Sequence, residues 1–448
     1  MNHITKSKSA KKKKKDKKKN PSVYQIPDGW EAIGGKIKSY PNQTQKTQLY
    51  QAFGSGRFVW NHFKTLMDKR HEMNPKQLFP KSKYLMRMLT NLKKDPKYAW
   101  LKLSDSTALQ LSLHNYIEAQ FSFMTGKSGE PKFKCRRYYR QSLTMRNNKV
   151  SYIRKSDYQK IVKETIQIVD KHHIRVPKLG LIRCKDLSYL RGMRILRATI
   201  TWREDNDFFW ISLNGIRPKK EPYARTGKAV GIDLGLGNEW LKTSDGQSWS
   251  VPDTQALEKK KRELQSKMDR RKNQAVRLAA QYNKSHTDKI DKYNYKNWQK
   301  CRHTLSLVNM KMHDKREDDI QKITAYLVKH YDLIVIEDLQ VSNLMKNHKL
   351  ARAIANASWA RFRQVLAYKC KMYGKKLIVV PPAYTSRICS NCGKKNPAFQ
   401  HMSTNQWLSV REWECPFCHA HLDRDINAAK NILKRGLKQL VVQATIAK

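Results

Sequence analysis

Apolar positions change their period along the chain, and each change marks an element. Lys36, Ile37, Lys38, Ser39 and Tyr40 alternate and predict a short strand. Leu49 and Phe53, then Phe58, Trp60, Phe63, Leu66 and Met67, predict helices broken near Gly54–Gly56. Leu109, Leu113, Ile117 and Phe121 recur every fourth residue, a helical stripe expected to pack in the core. Residues 130 to 215 read mostly as strands. Leu196, Ala198, Ile200 and Trp202 alternate, Glu204–Asp207 form a turn, and Phe209, Ile211 and Leu213 resume the alternation as a hairpin. Ala229–Leu234 is a compact apolar strand, followed through Gly237-Asn238 by Trp240–Thr243. From about Gln255 to His330 the chain predicts two or three basic helices, with Leu305, Val308, Met312, Ile320, Ile323 and Leu327 inward. Leu333–Ile336 is an uninterrupted apolar run, as in a strand buried on both faces. Leu350, Ile354, Phe362 and Leu366 give a helix stopped by Gly374, Leu377–Val380 a third buried strand, and Asp425–Leu433 a last helix. Strands alternating with helices predict an α/β core.

Charge narrows the partner. The 448 residues carry 91 Lys+Arg against 37 Asp+Glu, a net charge of +54. The first twenty residues supply ten Lys and one Asp. The rest of the excess is spread along the chain, which favours a nucleic acid over a membrane surface. Residues 1 to about 30 are a low-complexity tail, expected to be disordered and phosphate-attracting, with a nuclear localisation signal as the alternative. No apolar run reaches the roughly 20 residues of a membrane span, and the start has no secretory h-region. The expected location is therefore cytoplasmic (nucleoid-associated) in a bacterium and nuclear in a eukaryote. Lys132, Phe133, Lys134, Arg136, Arg137, Tyr138, Tyr139 and Arg140 interleave cations with rings, a mixture suited to a nucleic-acid groove. Gly126-Lys127-Ser128 imitates the end of a phosphate-binding loop. Phe121 stands where the required first glycine would be, which excludes it.

Three acids occupy telling places. Asp233 and Glu337 each close an apolar strand, where α/β sheets gather ligands. Asp425 opens the last helix, and its plain alternative is an N-cap. Anions inside a basic protein that binds phosphates imply intervening cations. Two Mg²⁺ ions about 4 Å apart, held by carboxylates, are the known device for phosphodiester hydrolysis. Asp338 and Asp423 rank lower. A strand alternates faces, and Asp425 leads directly into the helix.

Cys389-x-x-Cys392 and Cys415-x-x-Cys418 are two knuckles with the spacing of a four-thiolate zinc site. Four cysteines leave no open coordination position, so such a zinc is structural. His401, His419 and His421 are the alternative ligands. The quartet lies between the third strand and Asp425, where it would position that acid. Cys135, Cys184, Cys301 and Cys370 show no pairing and are expected to be buried thiols.

Gly231-Ile232-Asp233-Leu234-Gly235 and Val335-Ile336-Glu337-Asp338-Leu339 resemble the first two RuvC motifs of the TnpB family. Residues 382–393 (PAYTSRICSNCG), Cys415-Pro416-Phe417-Cys418 and residues 423–429 (DRDINAA) resemble its zinc ribbon and third motif. Arg57-Phe58-Val59-Trp60-Asn61 and Pro177-Lys178-Leu179-Gly180 are similar to its N-terminal half, and the likeness runs over about residues 36 to 436. Two departures are a longer lysine-rich start and a longer segment between the cysteine pairs.

The resemblance implies an α/β protein: an RNase H-like (RuvC) nuclease domain with an inserted zinc ribbon, plus an N-terminal β-barrel (wedge) with a helical recognition insert. Its boundaries would be a tail at 1–30, a wedge barrel at 31–220 with an insert at about 45–130, and nuclease parts at 221–384 and 423–448 around a ribbon at 385–422. It implies an RNA-guided, transposon-associated DNA endonuclease with two catalytic Mg²⁺ on Asp233, Glu337 and Asp425. One structural Zn²⁺ would sit on Cys389, Cys392, Cys415 and Cys418. Its partners would be a guide RNA from the transposon end and double-stranded target DNA. Arg57, Lys132, Lys134, Arg136, Arg137 and Tyr138 are the expected nucleic-acid contacts. A miniature type V CRISPR effector and a nuclease-inactive RNA-guided repressor are the alternatives.

Overall fold

A computed structural model describes residues 26–446, apart from 137–139, 148–163, 237–238, 251–252, 341–353, 356, 400–401, 403–405 and 407–408. The lysine-rich tail to residue 25, Arg137, Tyr138, Tyr139, Gly237-Asn238, Leu350 and His401 lie outside the described residues. The chain divides into two compact units. One comprises the residues up to Thr201 with Phe209–Lys219, the other Trp202–Phe208 with Lys220 onward.

The first unit is built on β1 (Trp30–Tyr40), three helices and the later strands. The helices are α1 (Gln43–Met73), α2 (Ser82–Leu92) and α3 (Ser106–Met124). The strands are β2 (Arg140–Arg146), β3 (Gln167–Ile168), β4 (His173–Val176), β5 (Gly180–Cys184), β6 (Arg194–Arg203) and β7 (Phe208–Pro218). Their sheet runs β2-β6-β7-β1-β5-β4-β3. Its two edges approach one another at Asn147, just past β2. The Asn147 amide donates to the Ile166 carbonyl (3.1 Å) and accepts from the Thr165 and Ile166 N–H groups, at the entry to β3.

Four expectations are corrected in this unit. The helix is not broken at Gly54–Gly56, because α1 runs 31 residues without interruption from an Asn42–Gln45 capping box. Gly56 is a packing residue: a Cβ there would meet Ser112 Oγ at 3.0 Å and Leu143 at 3.3 Å. In the α3 stripe Leu109, Leu113 and Ile117 are buried, whereas Phe121, at the last turn, is exposed and touches only the edge of the packing through Phe79. Residues 125–136 hold no strand. They are tied to α1, where Trp60 Nε1 donates to the Lys132 carbonyl and Asn61 brackets the backbone of Lys134. Cys135, on that segment, is exposed, while Cys184, Cys301 and Cys370 are buried as expected.

The second unit contains β8 (Ala229–Leu234), β9 (Glu239–Thr243), β10 (Ser248–Ser250), α4 (Gln255–Ser285), α5 (Lys296–His330) and β11 (Leu333–Glu337). It continues with α6 (Trp359–Met372), β12 (Lys376–Val380), β13 (Glu412–Glu414), β14 (His421–Asp423) and α7 (Arg424–Ile446). The sheet order is β10-β9-β8-β11-β12. β8, β9 and β10 pair antiparallel, while β8, β11 and β12 pair parallel. This mixed α/β sheet is consistent with the RuvC type. No helix among the described residues is long and apolar enough to cross a membrane.

The interior strand β11 is covered on both faces, as its apolar run requires. Ile334 and Ile336 pack with residues of α5 and α6, including Leu327, Phe362 and Leu366. Leu333 and Val335 pack with Ile432 of α7. Two glycines let α7 lie close to the sheet. A Cβ on Gly231 would stand 2.1 Å from the Ala429 carbonyl, and one on Gly436 would stand 2.4 Å from Val335.

Candidate catalytic and metal centres

Strand parity places the acids. Side chains alternate faces along a strand, so Glu337 shares the face of Leu333 and Val335, the face toward α7. Gly231 also faces α7, and Asp233 follows it by two residues. Pairing runs from Leu333–Ala229 to Ile336–Ile232, so one further step sets Glu337 beside Asp233, on neighbouring strands about 4.8 Å apart. Asp425 lies one helical turn, about 5.4 Å, before Ala429, the residue that meets Gly231. Three acids remote in sequence thus face one another at one end of the sheet.

Their electrostatics agree with this placement. Burial pushes the Asp233 carboxyl well above the usual carboxylate range, and the negative charges of Glu337 and Asp425 push it further; Arg424 opposes them. Burial also raises Glu337, against a hydrogen bond from Thr385 and the charge of Arg435. Thr385 Oγ1 donates to Glu337 Oε1 at 2.6 Å. Asp425 is held by Arg424 Nε at 2.8 Å and Arg411 Nη1 at 3.5 Å.

The two neighbouring acids do other work. Asp423 caps α7: its Oδ1 accepts from the N–H groups of Asp425 (3.0 Å) and Ile426 (2.8 Å). Its other oxygen pairs with Lys242 of β9 at 2.9 Å. The capping role therefore falls to Asp423, and the Asp425 carboxylate is left for the cluster. Asp338 has the opposite strand parity and pairs with Arg363 of α6 at 2.5 Å.

The cysteines form a second centre. The Sγ atoms of Cys389, Cys392, Cys415 and Cys418 all lie within 4.8 Å of one another. They are the one group of three or more such ligand residues this close among the described residues. Cys389 and Cys418 are 3.7 Å apart, as are Cys392 and Cys415. A tetrahedron with Zn–S bonds of about 2.3 Å has edges of about 3.8 Å, so the donor set fits zinc. The separation far exceeds a disulfide bond of about 2.05 Å. Burial pushes the Cys389 thiol up to about 12, while the Ala420 N–H and the Asn391 amide bring Cys418 down to about 6. His419 and His421 face Glu414 instead and are not part of the quartet.

Two features escaped the sequence reading. Asn427 and Asn431, four apart on α7, grip the first knuckle. Asn427 accepts from the Ser390 N–H at 2.7 Å and donates to the Ile388 carbonyl at 2.8 Å. Asn431 donates to the carbonyls of Thr385 (2.8 Å) and Ile388 (2.7 Å). Two polar residues on the face that also buries Ala428, Ala429 and Ile432 were the available signal.

The expected nucleic-acid contacts are mixed. Lys132 and Arg136 are exposed. The Lys134 ammonium lies 3.8 Å above the Trp60 ring, and Arg57 donates to the Gln141 side chain at 2.6 Å.

A mixed sheet with an acid cluster at one end and a four-cysteine module spliced in before the last helix defines a class of nucleic-acid-processing proteins, and sequence comparison gives the family. Residues 215–348 match the OrfB family of IS605 elements, described as "Probable transposase". Residues 359–432 match the Cas12f1-like TNB domain, and residues 33–76 match an OrfB "Helix-turn-helix domain". That last segment is here most of a strand and the whole of one unbroken helix. A Streptomyces pristinaespiralis protein named for RNA-guided DNA endonuclease activity is 29% identical over 410 residues, covering 90% of this chain and 89% of its own. The similarly named InsQ of Escherichia coli K12 is 27% identical over 419 residues, covering 90% and 91%. Among solved structures, a Cas12f1–sgRNA–target DNA complex aligns with TM-score 0.41 at 14% identity, covering 90% of this chain and 99% of that one. The chain belongs to the TnpB family, the OrfB proteins of IS605-type transposons.

Proposed function

We propose that the protein is an RNA-guided DNA endonuclease of the TnpB type that hydrolyses target DNA at Asp233, Glu337 and Asp425. The observation that carries this reading is the convergence of the three acids on one face, with Asp233 buried beside the negative charges of Glu337 and Asp425. The mutual lift on Asp233 is the signature of a site built for cations. Two ions about 4 Å apart are the arrangement by which carboxylates support phosphodiester hydrolysis. Bound there, Mg²⁺ would supply an activated water and stabilise the leaving oxygen. The chain's own part is to hold three oxygen donors in place. Asp423 orients the helix that presents Asp425, Thr385 fixes Glu337, and the buried surround raises the strength of every charge interaction.

In this reading Cys389, Cys392, Cys415 and Cys418 bind one structural zinc, and the ribbon braces α7. The N-terminal unit acts as wedge barrel and helical recognition insert, holding a guide RNA from the transposon end. Lys132 and Arg136 serve as phosphate contacts, and so do the basic helices α4 and α5. Target sequence is read by base pairing. Double-stranded DNA is the substrate, and the protein works in the nucleoid or nucleus, wherever that DNA is.

Purified protein with its co-purified RNA should cut matching double-stranded DNA when Mg²⁺ is added. Asp233→Ala should lower cutting by about 10³-fold or more, from the loss of several kcal/mol of charge stabilisation, while RNA remains bound. Undiminished cutting by Asp233→Ala would remove the assignment.

A further inference from the structure

We propose that Thr385 is a positioning residue for the Glu337 carboxylate, and that Asn431 on α7 sets Thr385 in place. This rests on reading Glu337 as a metal ligand. Glu337 has three rotatable bonds and sits beside Asp233, whose charge repels it. Left alone, its carboxylate would swing from the cluster. Thr385 Oγ1 holds it at 2.6 Å, and Thr385 is 5% exposed. The same hydroxyl has a second acceptor, the Pro382 carbonyl, but at 3.4 Å. A hydroxyl has one proton, and the short bond to an ionised carboxylate is the stronger use of it. The β-branched side chain is stiff about χ1, so the backbone of Thr385 decides where the hydroxyl points.

That backbone is fixed from α7. Asn431 Nδ2 donates to the Thr385 carbonyl at 2.8 Å, and Arg435 Nη1 donates to the Pro381 carbonyl at 2.8 Å. Asn431 lies six residues after Asp425 on the same helix. One rigid helix therefore presents one acid and, through a buried amide and a threonine, orients another. The asparagines of α7 fasten the first zinc knuckle through backbone groups, the carbonyls of 385 and 388 and the Ser390 N–H. The hydroxyl contact with Glu337 adds nothing to that fastening, so it serves the acid.

Thr385→Val keeps the shape and removes the donor. In the full-length protein with its RNA, Mn²⁺ affinity should fall about 10- to 100-fold, the usual loss when a partner of a metal ligand is removed. The Mg²⁺ concentration for half-maximal cutting should rise to match. Zinc content by elemental analysis and the melting temperature should stay as in the wild type, and Thr385→Ser should restore Mn²⁺ binding. Asn431→Ala should weaken Mn²⁺ binding in the same direction; if it does not fold, the two Thr385 variants decide the matter. Wild-type Mn²⁺ affinity in Thr385→Val overturns the proposal, and so does loss of zinc from that variant, which would make Thr385 a ribbon residue. Asp233→Ala is measured alongside. If it too binds Mn²⁺ normally, the carboxylate-site reading itself fails. If it loses Mn²⁺ while Thr385→Val does not, only the positioning role fails.

Discussion

The cysteine quartet and the acid trio are both places where like groups crowd together, yet they are made in opposite ways. The quartet is assembled locally. Each knuckle brings two thiols within three residues, and the structure has only to bring two knuckles face to face. Its sulfur spacing of 3.7 Å already matches a single tetrahedral ion. The trio is assembled by the whole unit. Two strand ends and a helix start must converge, against burial and then repulsion, which together lift Asp233 well above its ordinary range. The surrounding cations and donors, Arg424, Arg411, Lys242 and Thr385, restrain the acids and their neighbours. A local site stabilises its fold when filled, whereas a convergent acidic site strains the fold that carries it.

Four measurements break or sharpen that contrast. The largest effect belongs to the quartet. Cys389→Ser with Cys392→Ser should lose bound zinc and melt well below the wild type, since structural zinc contributes on the order of 10 kcal/mol of apparent binding energy. Unchanged zinc by elemental analysis would defeat the assignment. Next comes the seat of the acid-bearing helix. Gly231→Ala pushes a methyl into the Ala429 carbonyl and should cost about 1–3 kcal/mol in urea unfolding, with weakened cutting. An unchanged unfolding midpoint would mean that α7 yields freely. Asp233→Asn should act in the reverse direction and melt higher than the wild type in magnesium-free buffer, because it removes one of three repelling charges. A lower melting temperature there would show that the acids are not strained. The smallest effect lies at the far end of the sheet. Asp332, just before β11, is bonded to Lys375 and held down at about 2. Its contribution is full above the ordinary carboxylate pKa and fades as pH falls through about 2. Asp332→Asn should therefore be slightly less stable than the wild type at neutral pH, with the gap closing in acid melts. A gap that persists at the lowest pH would locate its origin elsewhere.

Much of the site could be read without coordinates, and the reason lies in periodicity. Asp233 and Glu337 were legible because each ends an apolar run, and Asp338 could be set aside because a strand turns alternate residues to opposite faces. The pairing of Asp338 with Arg363 of α6 bears this out. Other residues were ambiguous for an equally physical reason. Asp423 and Asp425 both sit at a helix start, and only hydrogen-bond geometry separates the cap from the acid that does not cap. Gly54 and Gly56 imitate a helix break in sequence, but the neighbour that needs the space at Gly56, Ser112 of α3, lies more than fifty residues on. Gly231 and Gly436 are the same case on the sheet, where glycine inside an element often marks a close approach rather than a turn.

The sequence by itself determined the elements, the excess of positive charge, the four zinc-type thiols and the strand-end acids, because these follow from spacing between near neighbours. The tertiary structure decided which face of the sheet the acids share, that Asp423 rather than Asp425 caps α7, and that Thr385 and Asn431 link the cysteine module to Glu337. Apart from the local Asp423 cap, those are contacts between segments tens to hundreds of residues apart. Packing of α7 against β8 and β11 sets them, and no local period records that packing.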